Sequence, residues 1–231
     1  LRTSNEILDK LYNCIKFGKE GLSNTGDNPY FKYVVAQSYM KLDQYPNALT
    51  ALEGIGVKPD NKEEYNLLYL EILMTLEYYP EAESKITQLL KVHTRNPRYQ
   101  AFYANYHYHK RDFRKALKIY QNLVKLTGSK EYLSHTGWLK FLLKKKKEAI
   151  QELSIATKKG NNESRALAHY RLGLIYALNE KKQRESSDNY TKGYELAPKL
   201  RLTKKDHNIF NEITKGKHDA LIQKIMRLYI Q

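Results

Sequence analysis

Tyr45-Pro46-Asn47-Ala48-Leu49, Tyr79-Pro80-Glu81-Ala82-Glu83 and Phe113-Arg114-Lys115-Ala116-Leu117 are three versions of one phrase, in which an aromatic residue is followed three positions later by alanine. Lys146-Lys147-Glu148-Ala149-Ile150 is a fourth version without the aromatic. Ala48, Ala82, Ala116 and Ala149 stand 34, 34 and 33 residues apart. Recurrence at such an interval marks a chain built from stacked structural units. Working outward, Leu172-Gly173-Leu174-Ile175-Tyr176 fits the first half of a further unit, and Ala197-Pro198 closes it.

Each unit reads as two helices. Tyr33, Ala36, Tyr39 and Met40 recur at three- and four-residue steps, as do Ala48, Ala51, Leu52 and Ile55. This is the 3.6-residue period of an amphipathic helix. Small residues mark close approaches of helix axes: Ala36, Ala104, Gly137 and Gly173 in the first helices, Ala48, Ala82, Ala116 and Ala149 in the second. Bulk at these positions would overpack the pair by about 1–3 kcal/mol. Asn28-Pro29 and Asn96-Pro97 place a capping side chain before a proline at the first helical position. Asp60 and Glu63 have capping-box spacing, Pro46 and Pro80 can open second helices, and Pro59 and Pro198 lie where second helices end.

These residues resemble the tetratricopeptide repeat family, whose unit is a 34-residue antiparallel helix pair. The resemblance places repeats at 29–62, 63–96, 97–130, 130–163 and 166–199, with about one extra residue near Lys181–Ser186. It implies an all-α solenoid, a right-handed superhelix of helix pairs, read as a single domain over 1–231. A capping helix is expected at 5–28, with Ile7, Leu8, Leu11, Tyr12 and Ile15 on one side. A degenerate helix pair is expected at 200–231, carrying Ile209, Phe210 and Ile213, then Ala220, Leu221, Ile225 and Leu228.

In this family the first helices line a concave groove that binds partners. Carried over by repeat position, the groove residues would be Tyr30, Tyr33, Gln37, Met40, Leu67, Glu71, Met74, Ala101, Asn105, Tyr108, His109, Trp138, Phe141, Tyr170 and Leu174. The set is rich in aromatic and apolar residues for a face turned to water, and such patches mark interaction sites. Trp138 is the first candidate anchor; packing against a neighbouring repeat or the C-terminal cap is its alternative. The lysine–asparagine–arginine clamp with which some relatives hold chaperone tails is absent, since Tyr33, Gln37 and Leu68 stand at its positions.

The 231 residues carry a net charge of +15. Residues 1–100 hold 12 Lys/Arg against 13 Asp/Glu, whereas 101–231 hold 28 against 12. The basic half suggests an acidic partner, with Lys144, Lys145, Lys146 and Lys147 as the anionic contact. Nucleic acid is the rival partner, through Tyr106, Tyr108, Lys110, Arg111 and Arg114. No cofactor or metal is implied. The single Cys14 excludes cysteine-built metal sites and is expected to pack as a small hydrophobe. His107 and His109 point apart on a helix, and no nucleophile or phosphate-loop context is found. The reading is a non-catalytic protein–protein interaction module. No stretch approaches roughly 20 apolar residues, so none spans a bilayer. Usage rich in Lys, Tyr, Asn and Ile resembles AT-rich bacterial genomes, spirochaetes among them. Together with a start at Leu1, this leans towards a bacterial periplasmic or membrane-associated complex.

Overall fold

The computed structural model describes residues 2–26, 28–53, 62–198, 200 and 208–212. Among these residues the chain is all α-helical, without strands. The helices are α1 (Arg2–Thr25), α2 (Pro29–Lys41), α3 (Tyr45–Leu52), α4 (Lys62–Thr75), α5 (Tyr79–Val92), α6 (Pro97–His109), α7 (Phe113–Thr127), α8 (Leu133–Leu142), α9 (Lys146–Ala156), α10 (Asn162–Ala177) and α11 (Gln183–Leu196). A 3₁₀ turn at Glu180–Lys182 takes up the extra residue between α10 and α11. Residues 208–212 are helical. Asp60, Pro59 and the stretch after Glu212 lie outside the described residues, as does most of the expected C-terminal helix pair.

The helices form two compact units, Leu1–Tyr106 and His107–Gln231. In unit 1, α1 packs on α2, α2 on α3 and α4 on α5. Ala36, Ala48, Leu52, Leu68 and Ile72 make one core cluster, and Leu70, Leu73, Ala82, Ile86 and Tyr99 belong to a second. In unit 2, α8 packs on α9 and α10 on α11.

Helix starts follow the local chemistry. Asn28 Oδ1 accepts from Tyr30 N at 2.9 Å, and Asn96 Oδ1 accepts from Arg98 N at 2.9 Å, each just ahead of its proline. The six small alanines at the predicted close approaches are fully buried. A Cβ on Gly137 would lie 2.8 Å from Leu153 Cγ, and one on Gly173 would lie 2.6 Å from the Tyr190 ring. Gly173 also accepts through its carbonyl from Ser186 Oγ at 2.8 Å, which fastens α10 to α11.

The turns inside the repeats share a geometry that the sequence does not announce. Asp43, Glu77, Arg111 and Lys144 all have positive φ, at 56°, 62°, 64° and 64°. After each, the next N–H reaches back five residues: Gln44 to Tyr39, Tyr78 to Leu73, Asp112 to His107 and Lys145 to Lys140, all at 2.9 Å. This is the Schellman closure of a helix end. The position favours glycine, yet four charged residues occupy it.

Two expectations at the N-terminal helix are corrected. Ile15 is buried against the fold, but Ile7 (57% exposed), Leu8 and Tyr12 (54%) are not. The physical reason is length: α1 has 24 residues and its partner α2 only 13. Cys14 is exposed rather than packed.

Candidate protein-interaction surface

The first helices of unit 1 are α2, α4 and α6 as far as Tyr106, the last turn of α6 belonging to unit 2. Tyr33 and Met40 of α2 are half-buried and rest on the cluster containing Leu68 and Ile72 of α4. Because Leu68 lies four residues after Glu64 and three before Glu71, Tyr33 sits beside both carboxylates. Gln37 Nε2 donates to the Tyr33 hydroxyl at 2.9 Å, which orients the phenol. Tyr30 is 69% exposed and packs edge-on against Phe31 at 5.9 Å between ring centroids. Ala101 and Asn105 of α6 are half-buried.

An ion pair ties α4 to α6 across this face. The Arg98 guanidinium donates to both Glu64 oxygens, the Nη2 contact to Oε2 being 3.2 Å, and lies 3.7 Å from Glu63. Hydrogen bonding from Arg98 holds the Glu64 carboxyl below the usual carboxylate range. Burial, then the charges of Glu64 and Glu71, raise the Tyr33 phenol, with Arg98 opposing. Glu71 is reached by solvent, yet the helices around it exclude enough water to raise its carboxyl. Arg98 compensates Glu63 and Glu64; Glu71 makes no ion pair among the described residues. The local character is tyrosine-rich and acidic.

The remaining groove residues are corrected. Leu67 and Met74 are buried, because they belong to the core cluster that α4 shares with α5 and α6. Trp138 is 0% exposed, and Phe141, Tyr170, Leu174 and Tyr108 are also buried. Tyr108 accepts from Trp138 Nε1 at 3.2 Å, and His109 is half-buried with its ring edge-on to Tyr108. Trp138 stacks on Phe141 at 5.3 Å and on Phe210 at 6.1 Å. Phe210 thus covers Trp138 and Phe141. Tyr106 and Tyr108 are buried too, so they offer no faces to stacked bases.

The turn between α8 and α9 exposes Lys144 and Lys145, and the first residues of α9 expose Lys146 and Lys147. Lys145 Nζ is 3.6 Å from Glu148, and the other three make no ion pair among the described residues. The unit boundary coincides with the charge boundary: 1–106 holds 12 Lys/Arg and 13 Asp/Glu, and 107–231 holds 28 and 12. No group of three His, Cys, Asp or Glu side chains suited to a metal ion occurs among the described residues. Nor is any described helix long and apolar enough to cross a membrane.

The architecture can now be set beside known proteins. No protein-family model matches the sequence, and no curated protein does. Solved structures do match. A tetratricopeptide repeat protein from Parabacteroides merdae superposes with a TM-score of 0.71 at 16% identity, over 90% of this chain and 77% of that one. The fold is a tetratricopeptide-repeat solenoid. TTC0263, a thermophilic protein of this repeat type from Thermus thermophilus, gives a TM-score of 0.61 at 15% identity, over 82% of this chain and 98% of its own. A chain of the APC/C hetero-tetramer Cut9–Hcn1 superposes as well. There the TM-score is 0.63 at 14% identity, over 89% of this chain and 40% of that one.

Proposed function

We propose that this tetratricopeptide-type chain is a non-catalytic protein-interaction module that docks a partner segment on the first-helix face of unit 1. The observation that carries the reading is exposed Tyr30 on one helix with half-exposed Tyr33, Gln37 and Met40, with Glu71, in no ion pair among the described residues, acting on Tyr33. Tyrosines bring large contact area with few rotatable bonds, which suits them to interfaces. The chain's likeness to the Cut9–Hcn1 assembly supports a role in complexes. Lysine or arginine in the partner segment would meet Glu71. Affinity capture with wild-type chain and with Tyr30→Ala/Tyr33→Ala tests the reading. A partner retained by the former should be lost at least tenfold by the latter, and should rebind as a purified pair. Indifference of every captured protein to the double substitution, with helicity intact, rejects it.

A second contact is favoured by the exposed lysine run. Lys144–Lys147, in a unit of net +16, would hold an acidic region of the same partner. Charge reversal of all four lysines should weaken capture and flatten its salt dependence. High-affinity binding to nucleic acid, lost on the same reversal, would replace this contact with the rival one.

A further inference from the structure

The hairpin tips along one edge of unit 2 concentrate its charge. Trp138, past the midpoint of α8, meets Tyr108 in the last turn of α6 and the Arg171 guanidinium past the midpoint of α10. The three first helices therefore run the same way, and the turns that follow them share an edge. Residues 110–115, 143–148 and 180–185 at those turns hold eleven Lys/Arg against four Asp/Glu. The turns at the opposite edge, 128–132 and 157–163, hold three against two. We propose that the charged edge is a rail for an extended acidic polypeptide segment, whose carboxylate clusters are spaced to meet one tip after another. The inference rests on the reading that unit 2 holds an acidic region of a partner. It goes beyond the lysine run to two further contacts and to the form of the segment.

The charge is not dictated by the turn, since unit 1 places Asp43 and Glu77 at the left-handed residue where unit 2 has Arg111 and Lys144. Nor is it neutralised within the fold. Lys110, Arg114, Lys181 and Arg184 are exposed and, like Lys144, Lys146 and Lys147, make no ion pair among the described residues. Crowded cations repel one another, and an anionic segment relieves that repulsion. The first tip already shows the contact in small: Arg111 Nη2 lies 2.6 Å from Glu212 Oε2, with both side chains open to solvent.

Spacing and side-chain type set the form of the occupant. Packed helices lie about 8–10 Å apart. An extended chain rises about 3.3 Å per residue, so acidic clusters beginning at every third residue reach successive tips. Lysine outnumbers arginine at the tips by eight to three. An ammonium on a flexible stem asks little geometric precision, which suits a segment without fixed structure. Each tip also holds a carboxylate of its own, Asp112, Glu148 and Glu185 in turn. These divide the edge into separate positive patches, which fit clustered acids better than the uniform charge of a nucleic-acid backbone. Tyr106 and Tyr108 are buried, so they offer no ring for base stacking. Phe113 and Leu143, the apolar residues of the tips, are half-buried. A bilayer thus gains no inserted side chain there, and stable anchoring needs a second signal besides a polybasic patch.

The test uses the full chain and two fluorescein-labelled peptides, with anisotropy at low salt reporting affinity. In the spaced peptide Glu-Glu-Gly is repeated three times; in the blocked peptide the same residues are sorted so that all glutamates are contiguous. The spaced peptide should bind the more tightly. Lys110→Glu/Arg114→Glu, Lys144→Glu/Lys146→Glu and Lys181→Glu/Arg184→Glu should each weaken it about fivefold or more, with helicity intact. Glutamine at the same pairs should give a smaller loss, and keeps the test valid if a charge reversal unfolds the chain. A loss confined to the Lys144/Lys146 pair would overturn the rail and leave the single lysine contact standing. No binding of either peptide to the wild-type chain would overturn both. Equal affinity for the two peptides would overturn the spacing. Tighter binding of a DNA duplex, or of vesicles made from equal parts of phosphatidylcholine and phosphatidylglycerol, lost on the same reversals, would overturn the polypeptide as occupant.

Discussion

The two units present the same helices to solvent with opposite outcomes. Unit 1 leaves Tyr30 exposed and Tyr33 half-exposed, with Glu64 and Glu71 acting on Tyr33. Unit 2 places Trp138 and Phe141 at the repeat positions that half-buried Gln37 and Met40 hold in unit 1, and buries both, with Phe210 stacked on each. Repeat position alone therefore does not decide exposure. What decides it is whether another part of the chain supplies a matching surface, and here that part follows Trp138 by 72 residues.

The most severe way to break this contrast is truncation of one aromatic in each unit. Trp138→Ala should destabilise the chain by about 3–5 kcal/mol, since it empties a closed, stacked site. Tyr30→Ala should stay within about 0.5 kcal/mol, as expected of an exposed side chain. Denaturant unfolding followed by circular dichroism measures both. Similar losses would mean that the two faces are packed alike.

The turns provide a gentler comparison, because their geometry is common to both units. Glu77→Gly and Lys144→Gly should each stabilise by about 1 kcal/mol or less through relief of the left-handed backbone. Arg111→Gly should gain less, since it gives up the ion pair with Glu212. Thermal melts resolve these increments. A stabilisation confined to one unit would show that the turns are not equivalent.

The smallest effect is a pH dependence within unit 2. His169 Nδ1 lies 2.8 Å from Asn189 Oδ1. Burial lowers its imidazole below the usual range, the Asn189 hydrogen bond opposes this, and Lys192 and Arg165 add to the lowering. The unfolded chain therefore takes up a proton below about pH 6.5 that the folded chain still refuses. Stability from this residue is present above that pH and lost as pH falls through it. His169→Gln should flatten the acid limb of the unit 2 melt.

Local spacing made the helices and their pairing legible. The recurring alanines mark close contacts because only small side chains fit there, and proline after asparagine marks a helix start for steric reasons. The site was less legible. Apolar character at Leu67, Met74 and Trp138 does not say which neighbour covers a side chain, and the covering residues come from α5 and α6 in one case and include Phe210 in the other. The length mismatch between α1 and α2 likewise leaves Ile7 and Tyr12 uncovered, although their periodicity resembles that of a buried face. The shared turn was hidden for another reason. Left-handed positions are recognised by glycine or asparagine, and Asp43, Glu77, Arg111 and Lys144 are neither. Their spacing, equal to that of the alanines five residues later, was the only available signal.

That shared turn makes each helix pair a cassette with an interchangeable tip. Its closure is made by main-chain atoms, so the side chain at the left-handed residue can switch between acid and base while the hairpin stays shut. Evolution can therefore recolour the rim of such an array one repeat at a time, selecting new neighbours without disturbing the stack.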